Sequence, residues 1–168
     1  MNNRAMTTNR VISYFSLGVL LLMSASMVTG ERSTGQMQLN IVNPPDLYDP
    51  APNGYSHAVV ANGVSNVAFI AGQGGETLDG ALSPEFDEQV RQAYRNLLSA
   101  IAAVGAEPAQ VTKITTYVVD YEQSMLAVMT AAVTEVFGES LPAQTLVPVP
   151  RLALDNMLFE VDAIVVFD

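Results

Sequence analysis

The C-terminal apolar segment, residues 157–167, restricts the fold of this chain more than any other part of the sequence. Every second residue on one side of this predicted strand is apolar: Met157, Phe159, Val161, Ala163 and Val165. The other side carries Leu158, Ile164 and Val166, so apolar side chains occupy both faces. A strand with two apolar faces lies in a sheet that is covered on both sides. The fold must therefore supply two layers of cover.

The residues before this strand alternate between strand and helix patterns. One helix is predicted to begin at Ser83 and to end at Gly105, and a second helix is predicted over residues 122–137. The other strands are predicted at residues 38–42, 55–61, 67–71, 111–119 and 143–149. The segment 62–66 has the length of a hairpin turn. This order predicts an α+β fold, a mixed sheet of about six strands with two helices on one face.

Two helices can cover only one face of such a sheet, so the second face needs another partner. Apolar patches of sheet size are rare on soluble monomers, and a second copy of the chain is the simplest cover, which predicts a homo-oligomer. Glu160 and Asp162 lie on that second face, where a carboxylate needs a partner or a chemical role. An ion pair with Lys113 or Arg151, or a solvated rim, is the structural alternative.

Residues 1–36 have the order of a secretory signal. Two arginines precede a short apolar run at residues 11–23, and small residues follow at 24–26. The run is shorter than the roughly 20 residues of a membrane-spanning helix, so we expect cleavage, export to the periplasm and no stable membrane association of the mature domain. An uncleaved anchor, or a true start at Met37 with a cytoplasmic protein, are the alternatives. The predicted folded domain is residues 37–168.

The charge balance and the residue types exclude several classes of function. The chain has 17 acidic and 7 basic residues, a formal net charge of -10, and such a chain repels phosphate backbones. Nucleic acid is therefore not an expected partner. The lack of cysteine excludes disulfides, thiolate metal sites and a cysteine nucleophile. His57 is the single histidine, no metal-ligand pattern is present, and no metal or other cofactor is expected.

Six short segments follow one another in order along the domain. They are residues 53–59 (NGYSHAV), 69–73 (FIAGQ), 89–97 (QVRQAYRNL), 111–116 (VTKITT), 141–143 (LPA) and 159–164 (FEVDAI). Over about residues 39–167 their order and spacing resemble the RidA (YjgF, reactive intermediate deaminase) family. The resemblance implies a chorismate-mutase-like fold and a homotrimer with small-molecule clefts between subunits. It also implies hydrolysis of 2-imino acids to 2-keto acids and ammonia without a cofactor.

The resemblance assigns roles to six residues. They are the catalytic Glu160, near the attacking water, and the substrate-binding Tyr55, Ala71, Gln73, Met129 and Gln144. Three of these positions depart from the family: Gln144 stands in place of the carboxylate-binding arginine, Ala71 in place of a serine and Met129 in place of an asparagine. Arg151 is an odd number of positions from Gln144, so in a regular strand it points to the opposite face.

The loss of the arginine changes the expected substrate. A neutral amide in place of a bidentate arginine removes about 1 to 3 kcal/mol of carboxylate binding, about 10- to 100-fold. A free 2-imino acid is therefore expected to be a poor substrate. Two functions remain open: a cofactor-independent imine or enamine deaminase acting on another small molecule, and a non-catalytic trimer that binds a metabolite or a protein.

Overall fold

The computed structural model describes residues 36–168, and the predicted signal peptide or extension lies outside this range except for Gln36. The described part of the chain contains six strands: β1 (Gln38–Val42), β2 (Ala58–Asn62), β3 (Asn66–Gly74), β4 (Val111–Val119), β5 (Ala143–Val149) and β6 (Phe159–Phe167). It also contains two α-helices, α1 (Phe86–Ala103) and α2 (Leu126–Phe137). Neither helix is long and apolar enough to cross a membrane.

The strands form a four-stranded sheet in the order β3-β6-β4-β5 and a two-stranded sheet of β1 and β2. Strand β6 is antiparallel to both of its neighbours, whereas β4 and β5 are parallel. A single parallel bridge between Ser56 and Ala143 links the chain just before β2 to the start of β5. The α+β architecture is as expected, and β6 occupies an inner position as its two apolar faces predict.

The two sheets correct one local prediction. Residues 62–66 do not form a hairpin turn, because β2 pairs with β1 and β3 pairs with β6. A short connection permits hairpin pairing but does not enforce it. The apolar β6 offers β3 a partner over most of its length, from Asn66 to Gly74. The six predicted strands therefore divide into sheets of four and two.

Both helices pack on one face of the four-stranded sheet. The α1 residues Val90, Leu97 and Ile101 are almost fully buried, as are Met129 and Val133 of α2. They meet the buried residues of β6, namely Phe159, Val161, Ala163 and Val165. Strand residues that alternate with these core residues therefore point to the opposite, helix-free face of the sheet.

Helix α1 begins three residues later than predicted from Ser83. The Ser83 hydroxyl accepts a hydrogen bond from the Glu85 backbone N–H (3.1 Å), and Glu85 is still extended. Inside the helix, the buried Gln89 side chain donates to the Ser83 and Asn156 carbonyls, both at 2.7 Å. Its Oε1 accepts the Leu158 N–H at 2.8 Å. The amide of Gln89 therefore ties α1 to the chain that enters β6.

Candidate functional site

The helix-covered side of the domain contains a cavity of about 310 Å³. Its lining comes from the loop before β2, from α2 and from β5: Tyr48, Asn53, Tyr55, Leu126, Met129, Thr130, Gln144 and Leu146. None of these eight side chains carries a charge. Predominantly apolar walls with a few polar groups are typical of small-molecule sites. This cavity brings together three of the predicted site residues.

Tyr55 is held in the cavity wall by other aromatic rings. Its ring lies edge-on to Tyr48, with centroids 6.4 Å apart, and edge-on to His57 at 5.7 Å. The Nε2 atom of His57 is 2.9 Å from the Tyr48 carbonyl oxygen, and the His57 N–H donates to Asn43 Oδ1 at 2.9 Å. Edge-to-face contacts are the preferred packing of aromatic rings. The single histidine therefore serves as a support for Tyr55.

Gln144 and Met129 form the deeper part of the same cavity. Gln144 is in register with the fully buried Ile114, so its side chain points to the helix face of the sheet. Its Nε2 donates weakly to the Thr116 hydroxyl at 3.4 Å. Met129 is only 1% exposed, so it belongs to the core while its surface closes the cavity floor. An amide and a thioether thus line this part of the cavity.

Glu160 lies on the other face of the sheet. Its strand neighbours Phe159 and Val161 are fully buried against the helices, so the alternation of side chains directs Glu160 away from them. A Cβ built on Gly72 would overlap Glu160 Oε1, so the carboxyl group lies directly over the Gly72 backbone. No side chain other than hydrogen fits at Gly72 while Glu160 keeps this position. The lack of a side chain at Gly72 therefore makes room for the Glu160 carboxyl.

The surroundings of Glu160 are acidic. Burial raises its pKa above the ordinary glutamate value, and the negative charges of Glu76 and Asp162 raise it further. Asp162 accepts the Thr115 backbone N–H at 3.1 Å and the Tyr117 hydroxyl at 3.2 Å. The charge of Asp162 is also the main cause of a raised pKa of Tyr117. The proton affinity of Glu160 is thus increased, which suits a general base.

Ala71 and Gln73 flank Gly72 in β3 and do not line the cavity. A bulge interrupts the pairing of β3 with β6 between Ile70 and Gln73. The Gln73 side chain donates to the carbonyls of Ala71 (3.0 Å) and Gly72 (3.3 Å), so it folds over the bulge. Bulges re-aim side chains next to functional sites. Here the bulge brings Gly72 under the glutamate.

The predicted site residues therefore fall into two groups within one chain. The cavity group is Tyr55, Met129 and Gln144, which line the cavity. The Glu160 group is Glu160 together with Ala71 and Gln73, which flank the glycine under its carboxyl. The four-stranded sheet separates Gln144 from Glu160, because their side chains point to opposite faces. One small molecule can contact both groups only if they come from different chains.

The two basic residues considered as ion-pair partners do not neutralise Glu160. Within the described residues, Arg151 is 3.9 Å from Asp155 with both side chains highly exposed. Lys113 donates to the Ile114 carbonyl (2.7 Å) and to the Thr145 hydroxyl (2.8 Å). Burial lowers the pKa of Lys113, and the charge of Asp162 partly offsets that effect. Within the described residues, neither basic side chain is paired with Glu160.

Sequence reasoning missed several residues of both groups. Tyr48, Asn53 and Thr130 line the cavity but were not predicted as site residues. Glu76, whose charge raises the pKa of Glu160, lies two residues beyond the end of β3. No sequence pattern marked Glu76, because its position depends on a hydrogen bond from Asn96.

These features define a class of protein: an α+β domain whose two helices cover one face of a mixed sheet. The cavity lies on the helix-covered face, and Glu160 lies on the other face. The family model described as Endoribonuclease L-PSP matches residues 48–167. A RutC family protein of Pyrococcus horikoshii is 37% identical over 122 residues, which are 68% of this chain and 89% of that protein. The chain therefore belongs to the Endoribonuclease L-PSP family, the RidA/YjgF family of the resemblance.

Solved structures of the family have the same fold. The Rid family protein YyfB of Yersinia pestis is 30% identical with a TM-score of 0.73, over 77% of this chain and 98% of that one. RidA of an Antarctic Psychrobacter is 26% identical with a TM-score of 0.57, over 67% of this chain and 88% of that one. These similarities confirm the α+β, chorismate-mutase-like fold that the sequence resemblance implied.

Proposed function

We propose that this protein is a homotrimeric imine or enamine deaminase that works without a cofactor on a small molecule lacking a free carboxylate. The observation that carries the proposal is Glu160, a partly buried carboxyl with a raised pKa, placed over Gly72 on the helix-free face of the sheet. A carboxyl group with an increased proton affinity can take and return the protons of a hydrolysis at near-neutral pH.

The separation of the two residue groups supports a site formed between subunits. A ligand seated in the cavity of one chain cannot reach Glu160 of the same chain, because the sheet lies between them. The helix-free face also exposes Phe69 (78%) and Val67 (51%), and apolar surface of this kind favours association. Self-association would bring the Glu160 group of one chain to the cavity of another and would cover this face.

The proposed chemistry needs one proton acceptor and one proton donor, and Glu160 serves as both. A water gives a proton to the Glu160 carboxylate as its oxygen bonds to the imine carbon. The C=N electron pair moves to the nitrogen, which takes a proton from solvent. Glu160 then returns its proton to the nitrogen, the C–N bond breaks, and ammonia leaves while the hydroxyl loses its proton to solvent and becomes the carbonyl.

The lining of the cavity supports the substrate class. Gln144 offers a neutral amide where a carboxylate would need an arginine, and the neighbouring walls are Leu126, Met129 and Leu146. An uncharged imine with an apolar body fits these walls, because its burial releases water without leaving a charge unpaired. Endoribonuclease activity is not proposed, since the acidic domain repels RNA and His57 is committed to Tyr48.

The test compares an imine that carries a carboxylate with one that does not. Butan-1-imine and 2-iminobutyrate are generated in situ by a coupled enzyme. Semicarbazide traps each imine in competition with hydrolysis, and the amount trapped measures the lifetime of that imine. The protein is expected to accelerate ammonia release from butan-1-imine more than from 2-iminobutyrate. Glu160→Gln should abolish the acceleration, whereas Glu139→Gln, an exposed surface change, should retain it. Equal rates with the wild type and Glu160→Gln would reject the proposal.

A second candidate function is supported by the uncharged lining of the cavity. A site whose eight lining side chains carry no charge can bind an apolar metabolite without chemistry. A ligand that raises the melting temperature equally in the wild type and in Glu160→Gln, with no turnover in either, would favour a binding module.

We also propose that the protein is exported. The basic start, short apolar run and small residues of the first 36 positions support cleavage after the run. Mass spectrometry of the mature amino terminus tests this proposal. A terminus within residues 24–36 is expected, and an intact Met37 start would show a cytoplasmic protein.

A further inference from the structure

Glu76 lies just beyond β3, in the glycine-rich segment that passes beneath Glu160. Its backbone is fixed by Asn96 of α1, whose Nδ2 donates to the Gly74 carbonyl (2.9 Å) and to the Glu76 carbonyl (2.8 Å). The Oδ1 of Asn96 accepts a hydrogen bond from Gln92 Nε2 at 2.8 Å. The position of Glu76 is therefore set by a helix and does not depend on a free loop.

The Glu76 side chain folds back over the strand. A Cβ built on Gly74 would overlap Glu76 Oε2, so the carboxylate occupies the space above that glycine. Gly74 is the register partner of Glu160, and Gly72 lies under the Glu160 carboxyl. Two glycines on one strand, separated by a single residue, thus each accommodate one carboxyl group. The two carboxyl groups are therefore accommodated two positions apart on β3, and the charge of Glu76 acts on Glu160.

Three titratable groups act on Glu160 or face it. Glu76 comes from the segment after β3, Asp162 from β6 itself, and Tyr117, the register partner of Glu160, from β4. Lys113, on the same face of β4, interacts with Asp162. Asp162 is engaged by the Thr115 N–H and the Tyr117 hydroxyl, and Lys113 is bound to the Ile114 carbonyl and to Thr145. Of the two neighbouring acids, Glu76 raises the pKa of Glu160 more than Asp162 does.

We propose that Glu76 is a positioning residue for Glu160: its carboxylate folds back over Gly74, the register partner of Glu160, and places a negative charge near the proton-accepting group. The inference deepens the proposed function and rests on it, because the pH range of the deaminase would then depend on a residue that does not touch the substrate. Asn96 and Gly74 maintain the arrangement, the first by fixing the backbone and the second by leaving room for the carboxylate.

The titration of Glu160 itself tests the inference. The protein is labelled with ¹³C at the glutamate side-chain carboxyls, and the Glu160 signal is assigned by its loss in Glu160→Gln. Glu76→Gln keeps the side-chain shape and removes the charge, so the Glu160 midpoint should fall to a lower pH. Glu76→Asp keeps the charge and should return the midpoint toward the wild-type value. Glu139→Gln, an exposed glutamate after α2, should leave it unchanged.

A Glu160 midpoint that is the same in Glu76→Gln as in the wild type overturns the inference. A midpoint that falls equally in Glu139→Gln overturns it as well, because the loss of any surface charge would then shift the Glu160 titration. The measurement does not need turnover, so it separates two failures. A lowered midpoint without hydrolysis of any imine supports the role of Glu76 and rejects the deaminase. Hydrolysis with an unshifted midpoint supports the deaminase and rejects the role of Glu76.

Discussion

The carboxyl group of Glu160 lies where the Cβ atom of any other residue at position 72 would be, so Gly72 is required for this position of Glu160. We predict that Gly72→Ala displaces the Glu160 side chain with little loss of stability, since the displaced atoms are the flexible end of a glutamate. Imine hydrolysis should fall about 10-fold or more, because a misplaced base loses its alignment with the water. Ammonia release and chemical denaturation measure the two effects.

The matched control for this change is Gly75→Ala. A Cβ at Gly75 would lie 2.7 Å from Gln89 Cα, which is backbone and cannot rotate away. This variant should lose about 1 to 3 kcal/mol of unfolding free energy, as overpacked sites do. If Gly72→Ala were as destabilised as Gly75→Ala, the new methyl group would not be accommodated by movement of the Glu160 side chain, and the prediction would be wrong.

A second prediction concerns the pH dependence of stability. The pKa of Glu160 is raised by burial and by neighbouring acids, so the folded chain binds this proton more tightly than the unfolded chain does. The resulting stability is present below the ordinary glutamate pKa and is lost as the pH rises through the raised value. Glu160→Gln should therefore melt roughly 1 to 3 °C above the wild type at about pH 7 and at the same temperature at about pH 3.

Thermal melting across this pH range checks the sign. A variant that is less stable than the wild type at neutral pH would mean that the Glu160 carboxylate is stabilised in the folded state, against the cause given for its pKa. The Glu139→Gln control should follow the wild type at both pH values, because Glu139 is not among the charges that act on Glu160.

A third prediction follows from the buried hydroxyl of Tyr94. This oxygen has no hydrogen-bond partner among the described residues, and burial raises the pKa of the phenol. The ring packs against Phe137 and Phe159, with centroids 6.3 Å and 5.9 Å away. Tyr94→Phe keeps these ring contacts and removes an unpaired polar atom, so unfolding free energy should rise by about 1 kcal/mol. A loss of stability in urea unfolding would show that the hydroxyl is bonded in solution.

The parts of the fold that depend on periodicity were predictable from the sequence. The alternation in residues 111–119 and 157–167 predicted two strands, and the structure has β4 at Val111–Val119 and β6 at Phe159–Phe167. Side-chain alternation along a strand is a local property, so it also placed Glu160 opposite the core. The two apolar faces of β6 indicated an oligomer for the same reason, and that expectation remains a proposal.

The parts that depend on long-range pairing were not predictable. The register of β4 with β5 decides that Gln144 faces the helices, and the sequence of β5 alone does not specify it. The approach of Glu76 to Glu160 depends on Asn96, which holds the loop from a helix 20 residues away in the chain. A hydrogen bond of this kind leaves no periodic signal, so the residue pattern could not reveal the acidic neighbour.

A fourth prediction tests the oligomer that the proposed site requires. Phe69 is 78% exposed on the helix-free face, and Phe69→Asp would place a charge where another chain is expected to pack. Light scattering should give three times the chain mass for the wild type and a smaller mass for this variant. Leu78→Asp is the control, because Leu78 is fully exposed in the loop before α1 and should not affect assembly. A wild-type protein that remains a single chain at all concentrations would contradict the proposed site.

A fifth prediction restores the missing cation to the cavity. Gln144→Arg introduces a guanidinium beside Tyr55 and Met129, where a bidentate pair with a carboxylate becomes available. The rate enhancement on 2-iminobutyrate should rise about 10- to 100-fold, and the rate on butan-1-imine should not, because only the first substrate has a carboxylate to bind. Gln144→Met, with no donor at all, is the control. Equal activity of wild type and Gln144→Arg on 2-iminobutyrate would show that another group, supplied by a neighbouring chain, already binds the carboxylate.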